Sequence, residues 1–163
     1  GVQAHAARAD QAPRFAHRAS HGFLDPSGQM ITLVEARTYS PPAIYAAPSS
    51  RLGYFEEFGI PTSDLDRSTA FWDALGCVAF DPIRAPFAKV VASHRDLNVG
   101  LYDTDLKRPV LTFSDPGMPE RIGELRDKGH RFVDRLPRGM NARENALVEA
   151  PEGTWLLLTT SAA

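Results

Sequence analysis

The apolar positions along the chain change period at one place, and the rest of the chain is organised around it. Tyr54 to Thr62 reads as a short extended segment, and after it Leu65, Thr69, Trp72 and Leu75 recur at helical spacing with Phe71 beside them. Between the two, Ser63 or Asp64 can accept the free backbone N–H groups of a first helical turn. Asp66 sits where the helix dipole favours an anion, and Gly76 supplies the stop. The pattern predicts a strand over 54–62 and a helix over 64–75. Apolar runs punctuated by Asp81-Pro82, Ala85-Pro86 and Asp96 then predict strands over 77–81, 87–93 and 97–102. The order repeats. A strand over 109–114 leads into Asp115-Pro116-Gly117-Met118-Pro119, which opens a helix with Met118, Ile122 and Leu125 as its apolar positions and Gly129 as its end. A short strand over 130–134, a loop over 136–141 and two strands over 146–150 and 155–160 complete the chain. The result is an α+β chain with the order βαβββ twice.

Ahead of this unit, His21 to Leu24 and Gln29 to Ala36 are predicted as hairpin strands. The turn between them, Asp25-Pro26-Ser27-Gly28, combines a residue that fixes φ with one that permits φ > 0. Residues 1–20, rich in Ala, Arg and His without an apolar stripe, read as loop or weak helix. Pro41, Pro42 and Pro48 among Ala and Ser give 41–53 the composition of a semi-extended linker. Pro26-Ser27-Gly28-Gln29-Met30-Ile31-Thr32-Leu33 matches Pro151-Glu152-Gly153-Thr154-Trp155-Leu156-Leu157-Leu158 at constant spacing: a Pro-x-Gly turn, two apolar residues, then Leu.

Composition narrows the partners rather than the fold. With 163 residues, 43% hydrophobic and 23% charged, the chain has globular values and can bury a normal core. A net charge of −2 and a pI near 6.2 argue against a nucleic-acid surface. Cys77 is the sole cysteine, which excludes an intrachain disulfide and zinc-knuckle spacing and makes the cytoplasm the default setting. No apolar run approaches the roughly 20 residues that span a bilayer, so no membrane partner is expected.

The strand followed by Asp64-Leu65, Phe71-Trp72 and Leu75-Gly76 resembles the vicinal-oxygen-chelate superfamily, which comprises glyoxalases, bleomycin-resistance proteins and ring-cleaving dioxygenases. So does Pro151-Glu152-Gly153 ahead of the last strand, although Ala150 stands where the superfamily's turn has Asp. The resemblance implies paired βαβββ modules that form a curved half-barrel sheet around one cavity. It also gives the repeat a meaning, because the spacing of its two copies is close to one superfamily domain. Residues 1–40 are then expected to be the C-terminal remnant of a preceding domain, as suits a chain that starts at Gly1 rather than Met. Residues 41–53 would be a linker and 54–160 a complete domain.

Enzymes of the superfamily hold a divalent metal with His and Glu on the first, fourth, fifth and eighth strands. The resemblance implies Glu57 as a carboxylate at the first position and Leu157, which cannot ligate, at the last. The fifth strand offers Pro109, Val110, Leu111 and Thr112; the fourth offers Asn98, Tyr102 and Asp103. A metal site is therefore not expected, and the alternative for Glu57 is a solvent-facing strand residue. His94 reads as a turn residue and His130 as a helix-end neighbour, while Cys77 in its apolar stretch reads as a small buried hydrophobe. The residues expected to wall a ligand pocket are Phe58, Tyr102, Thr112, Asn141, Arg143, Trp155 and Leu157. The expected function is a glyoxalase- or bleomycin-resistance-like domain that binds a small molecule without a metal cofactor, or a catalytically degenerate one, with a homodimer as a further partnership. A lyase or dioxygenase using a divalent metal partly held by Glu57 is the alternative, and an inert interface domain a third.

Overall fold

The computed structural model describes residues 20–34, 50–95 and 97–160. The loop or weak helix expected over 1–20 therefore lies outside the described residues except for its last position, and so does most of the linker expected over 41–53.

Two strands open the described chain. β1 (Ser20–Leu24) and β2 (Met30–Val34) pair antiparallel as a separate two-stranded sheet. Asp25 shapes their turn, its Oδ1 accepting from the backbone N–H of Ser27 at 2.9 Å and of Gln29 at 2.7 Å. The Phe23 ring meets Phe71 edge-on at 5.9 Å, so the hairpin rests against the first helix of the larger unit.

That unit is a seven-stranded mixed sheet. Its elements in chain order are β3 (Tyr54–Pro61), α1 (Leu65–Ala74), β4 (Val78–Ala79), β5 (Lys89–His94), β6 (Leu97–Tyr102), β7 (Val110–Ser114), α2 (Met118–Asp127), β8 (Ala146–Glu149) and β9 (Trp155–Thr159). The strand order across the sheet is β4-β5-β6-β3-β7-β9-β8. β3 runs parallel to β6, β7 runs parallel to β9, and β3 and β7 meet antiparallel at the centre. The two halves thus repeat one connection: a first strand, a helix, and a last strand returning parallel beside the first. This is the paired βαβββ arrangement, open rather than closed. Two predicted strands are shorter than their apolar runs suggested. The 77–81 segment narrows to two residues at a sheet edge, with Pro82 close behind, and the 130–134 segment is a single bridge from Phe132 to Val148.

Both helices cover one face of the sheet. Under α1 lie Ile60, Val90, Val99 and Leu101 with Phe58, packed against Leu65 and Trp72 of the helix; under α2, the buried Met118, Ile122 and Leu125 pack on Ala146, Val148 and Leu158. Asp64 caps α1, accepting from the Arg67 N–H at 2.9 Å. The buried residue of α1 is Ser68, whereas Leu75, expected on the apolar face, is exposed. The Ser68 hydroxyl lies 2.8 Å from that of Thr62 just past β3, a satisfied polar pair that lets a serine be fully buried between helix and sheet. Cys77 is buried, as an apolar setting requires, and that burial pushes its thiol pKa up. Among the described residues no helix is long and apolar enough to cross a membrane.

Candidate functional site

The other face of the sheet is concave and carries the polar chemistry. Strand alternation places Phe58 and Ile60 of β3 under α1, and Glu57 and Gly59 on the concave side. Gly59 and Gly100 are partners across the β3–β6 pair, and the Tyr102 ring lies over both: a Cβ on either glycine would overlap that ring. Two glycines inside adjacent strands thus mark a close side-chain approach.

Tyr102 then reaches the centre of the sheet. Its hydroxyl donates to Glu57 Oε1 at 2.6 Å and lies 2.9 Å from Thr112 Oγ1. A phenol has one proton to give, so Thr112 donates to Tyr102. Lys89 Nζ, from β5, donates to the same Glu57 oxygen at 2.8 Å. Glu57 is 1% exposed, which excludes the solvent-facing alternative; Lys89 and Tyr102 supply the partners that a buried carboxylate needs. Burial, and after it the Glu57 charge, push the Tyr102 hydroxyl far above the ordinary phenol range, so it is a fixed donor.

Over this network lies a cavity of about 470 Å³. Ile83, Pro86, Phe87, Met140 and Leu157 give it apolar walls, and Glu56, Lys89, Tyr102, Thr112, Asn141 and Asn145 give it polar groups. Gly139, at φ 90°, packs so tightly against the Pro86 carbonyl that any side chain there would collide with it, which joins the loop before β8 to the segment before β5 across the cavity. Of the residues expected to wall a pocket, Tyr102, Thr112, Asn141 and Leu157 line this cavity. Three do not. Phe58 belongs to the cluster under α1, because the residue after an inward Glu57 must point the other way. Trp155 shares the concave face with Leu157 but lies two residues nearer the sheet end, beneath Arg108, whose guanidinium carbon is 4.6 Å from its ring centre. Arg143 is exposed on the loop, its backbone N–H bonded to Asn141 Oδ1.

Sequence reasoning missed Lys89 and Glu56. Lys89 has a visible signal, a single charge inside the apolar run 87–91. Glu56 has none, because its placement comes from a bulge: the β3–β7 register shifts between Phe55 and Glu57, so Glu56 has no partner on β7 and lines the cavity beside the buried Glu57. Burial raises the Glu56 carboxyl pKa; Lys89 opposes this, while the neighbouring Glu57 adds to it.

The resemblance assigns Glu57 and Leu157 to a metal, and of the residues it leaves open on the fourth and fifth strands Tyr102 and Thr112 line the cavity; Glu57, Thr112 and Leu157 lie side by side in register across β3, β7 and β9. Their chemistry does not fit a divalent ion. The carboxylate already holds an ammonium and a phenol, the phenol keeps its proton, and leucine offers no donor. Among the described residues no group of three His, Cys, Asp or Glu side chains is placed to hold a metal.

The strand order and the two repeated modules give the open, paired βαβββ fold that the resemblance implies, and solved structures share it. Among solved structures the chain is similar to a hypothetical protein from Bacillus halodurans, at 12% identity over 68% of this chain and 95% of that one, with a TM-score of 0.52. It is also similar to a structure named as an NAD-dependent benzaldehyde dehydrogenase from Legionella pneumophila, at 15% identity over 64% and 97% of the two chains and a TM-score of 0.50. A glyoxalase/bleomycin resistance protein/dioxygenase superfamily member from Vibrio splendidus matches at 10% identity over 64% and 97%, with a TM-score of 0.44. At these identities the likeness is one of fold. No protein-family model and no curated protein matches the sequence.

Proposed function

We propose that the domain binds a small, largely apolar molecule in the concave cavity and does so without a metal ion. The observation that carries this reading is the floor of the cavity, where Lys89 and Tyr102 both donate to Glu57 Oε1 and Thr112 donates to Tyr102, so the carboxylate is held by the protein's own donors. A metal-assisted reaction needs an ion with a free position for substrate oxygens. Here an ammonium supplies the positive charge, and it belongs to the protein. The cavity volume lies within the range of small-molecule sites, about 300–1,000 Å³, and its mix of apolar walls and a few convergent polar groups is the usual composition of such sites. Phe87 and Tyr102, with ring centres 5.0 Å apart, supply aromatic surface for a ring-containing ligand.

The test uses biphenyl-4-ylmethanol as a neutral, ring-containing probe. It is expected to raise thermal stability by mass action, by about 2.7 kcal/mol at a hundred times its dissociation constant. Met140→Trp, which fills the cavity from the loop side, is expected to abolish that gain while the protein remains folded. A gain that survives Met140→Trp would place the binding elsewhere and contradict the reading.

A further inference from the structure

The charges inside the cavity do not balance. From β3 Glu56 lines it with Glu57 buried just beneath, and the cation among its lining residues is Lys89, whose Nζ is bonded to Glu57. Glu144 adds a third carboxylate among the lining residues. Arg84 and Arg143 lie beside lining residues in the sequence, but both are exposed and neither lines the cavity. Once Lys89 has neutralised Glu57, Glu56 remains half-buried, with the more distant field of Lys89 the main charge that favours its ionised form. The bulge that places it there interrupts the ladder between β3 and β7, the central pair of the sheet.

A carboxylate partly removed from water and short of a counter-charge is an unfavourable arrangement in an empty cavity, and a ligand that brings the missing cation relieves it. A neutral ligand would leave Glu56 uncompensated and take away more of its water. An anionic ligand would meet two carboxylates of the same sign. We infer that the cavity selects an organic amine, a protonated nitrogen on an apolar ring-bearing body, with Glu56 as its counter-ion; this rests on the binding reading above and names the chemical class of its ligand. In this arrangement the body of the ligand lies between Phe87, Met140 and Leu157. Its ammonium donates to Glu56, a charge-assisted hydrogen bond in a site of lowered dielectric. Lys89 stays with Glu57, so the protein's own ion pair and the ligand's are separate.

Three probes of one shape test the assignment by calorimetric titration of the intact chain at neutral pH: biphenyl-4-ylmethylamine, biphenyl-4-ylmethanol and biphenyl-4-carboxylate. The amine is expected to bind about tenfold or more tighter than the alcohol, and the carboxylate most weakly. Glu56→Gln is expected to bring the amine to the affinity of the alcohol. If the alcohol binds as tightly as the amine, if the carboxylate binds best, or if Glu56→Gln keeps the preference, the amine assignment is wrong while the cavity remains a binding site. If none of the three binds, the binding reading itself fails and the inference fails with it.

Discussion

Lys89 and Glu57 are covered together, and removing one member of such a pair leaves the other as an uncompensated charge. Lys89→Met is therefore expected to lower stability by about 3–5 kcal/mol in urea denaturation, and combining it with Glu57→Gln should recover most of that loss. If the single and double variants are equally unstable, the ammonium acts through packing and not as the partner of the carboxylate. Glu56 differs from this pair because its carboxyl pKa is raised in the folded state. The folded protein then holds that proton to higher pH than the unfolded chain, so the ionised group costs stability above the raised pKa, and the cost fades as pH falls through it. Glu56→Gln should raise the melting temperature of the ligand-free protein at pH 7 and have a shrinking effect toward pH 4; a destabilised variant at pH 7 would contradict the electrostatic account. At this scale the sequence was only partly legible. Counting back from Asp64 found Glu57, and the fifth and last strands pointed to Thr112 and Leu157. Burial of Glu57 depended on Lys89, 32 residues away in sequence and two strands across the sheet.

The elements were easier to read than the residues. Both helices lie where apolar spacing and cap chemistry put them, because a cap and an amphipathic stripe are local properties. Asp64→Ala removes the bond to the Arg67 N–H and is expected to cost about 1 kcal/mol in a denaturant titration, whereas Asp64→Asn should cost much less. An equal loss in both would mean that the carboxylate charge matters more than the hydrogen bond. The faces of the helices were less legible. Met118, Ile122 and Leu125 of α2 are all buried, but in α1 the buried residue is Ser68, whose hydroxyl pairs with Thr62. The edge segments over 77–81 and 130–134 were overread for a related reason. Apolar residues signal burial or pairing, and how much of a run pairs is decided by neighbours distant in the chain.

At the scale of the whole molecule, the fold follows from pairing the two βαβββ units about the central β3–β7 contact, and the concave face follows from placing both helices on the opposite side. The order of elements was legible because it repeats. The bulge in β3 was not, and it moves Glu56 into the cavity. The resemblance implies metal ligands on four strands. On the concave face this chain presents a carboxylate, a phenol, a hydroxyl and an isobutyl group there, and brings an ammonium to the carboxylate from β5. The central claim is that ligand binding needs no ion beyond Lys89. It is tested most directly by titrating biphenyl-4-ylmethanol into the protein in chelator-treated buffer and again with added Mn²⁺ or Zn²⁺. The account predicts the same dissociation constant in both buffers, within about twofold, and no binding of either ion competitive with the probe. Binding that disappears with chelator and returns with the metal would contradict it.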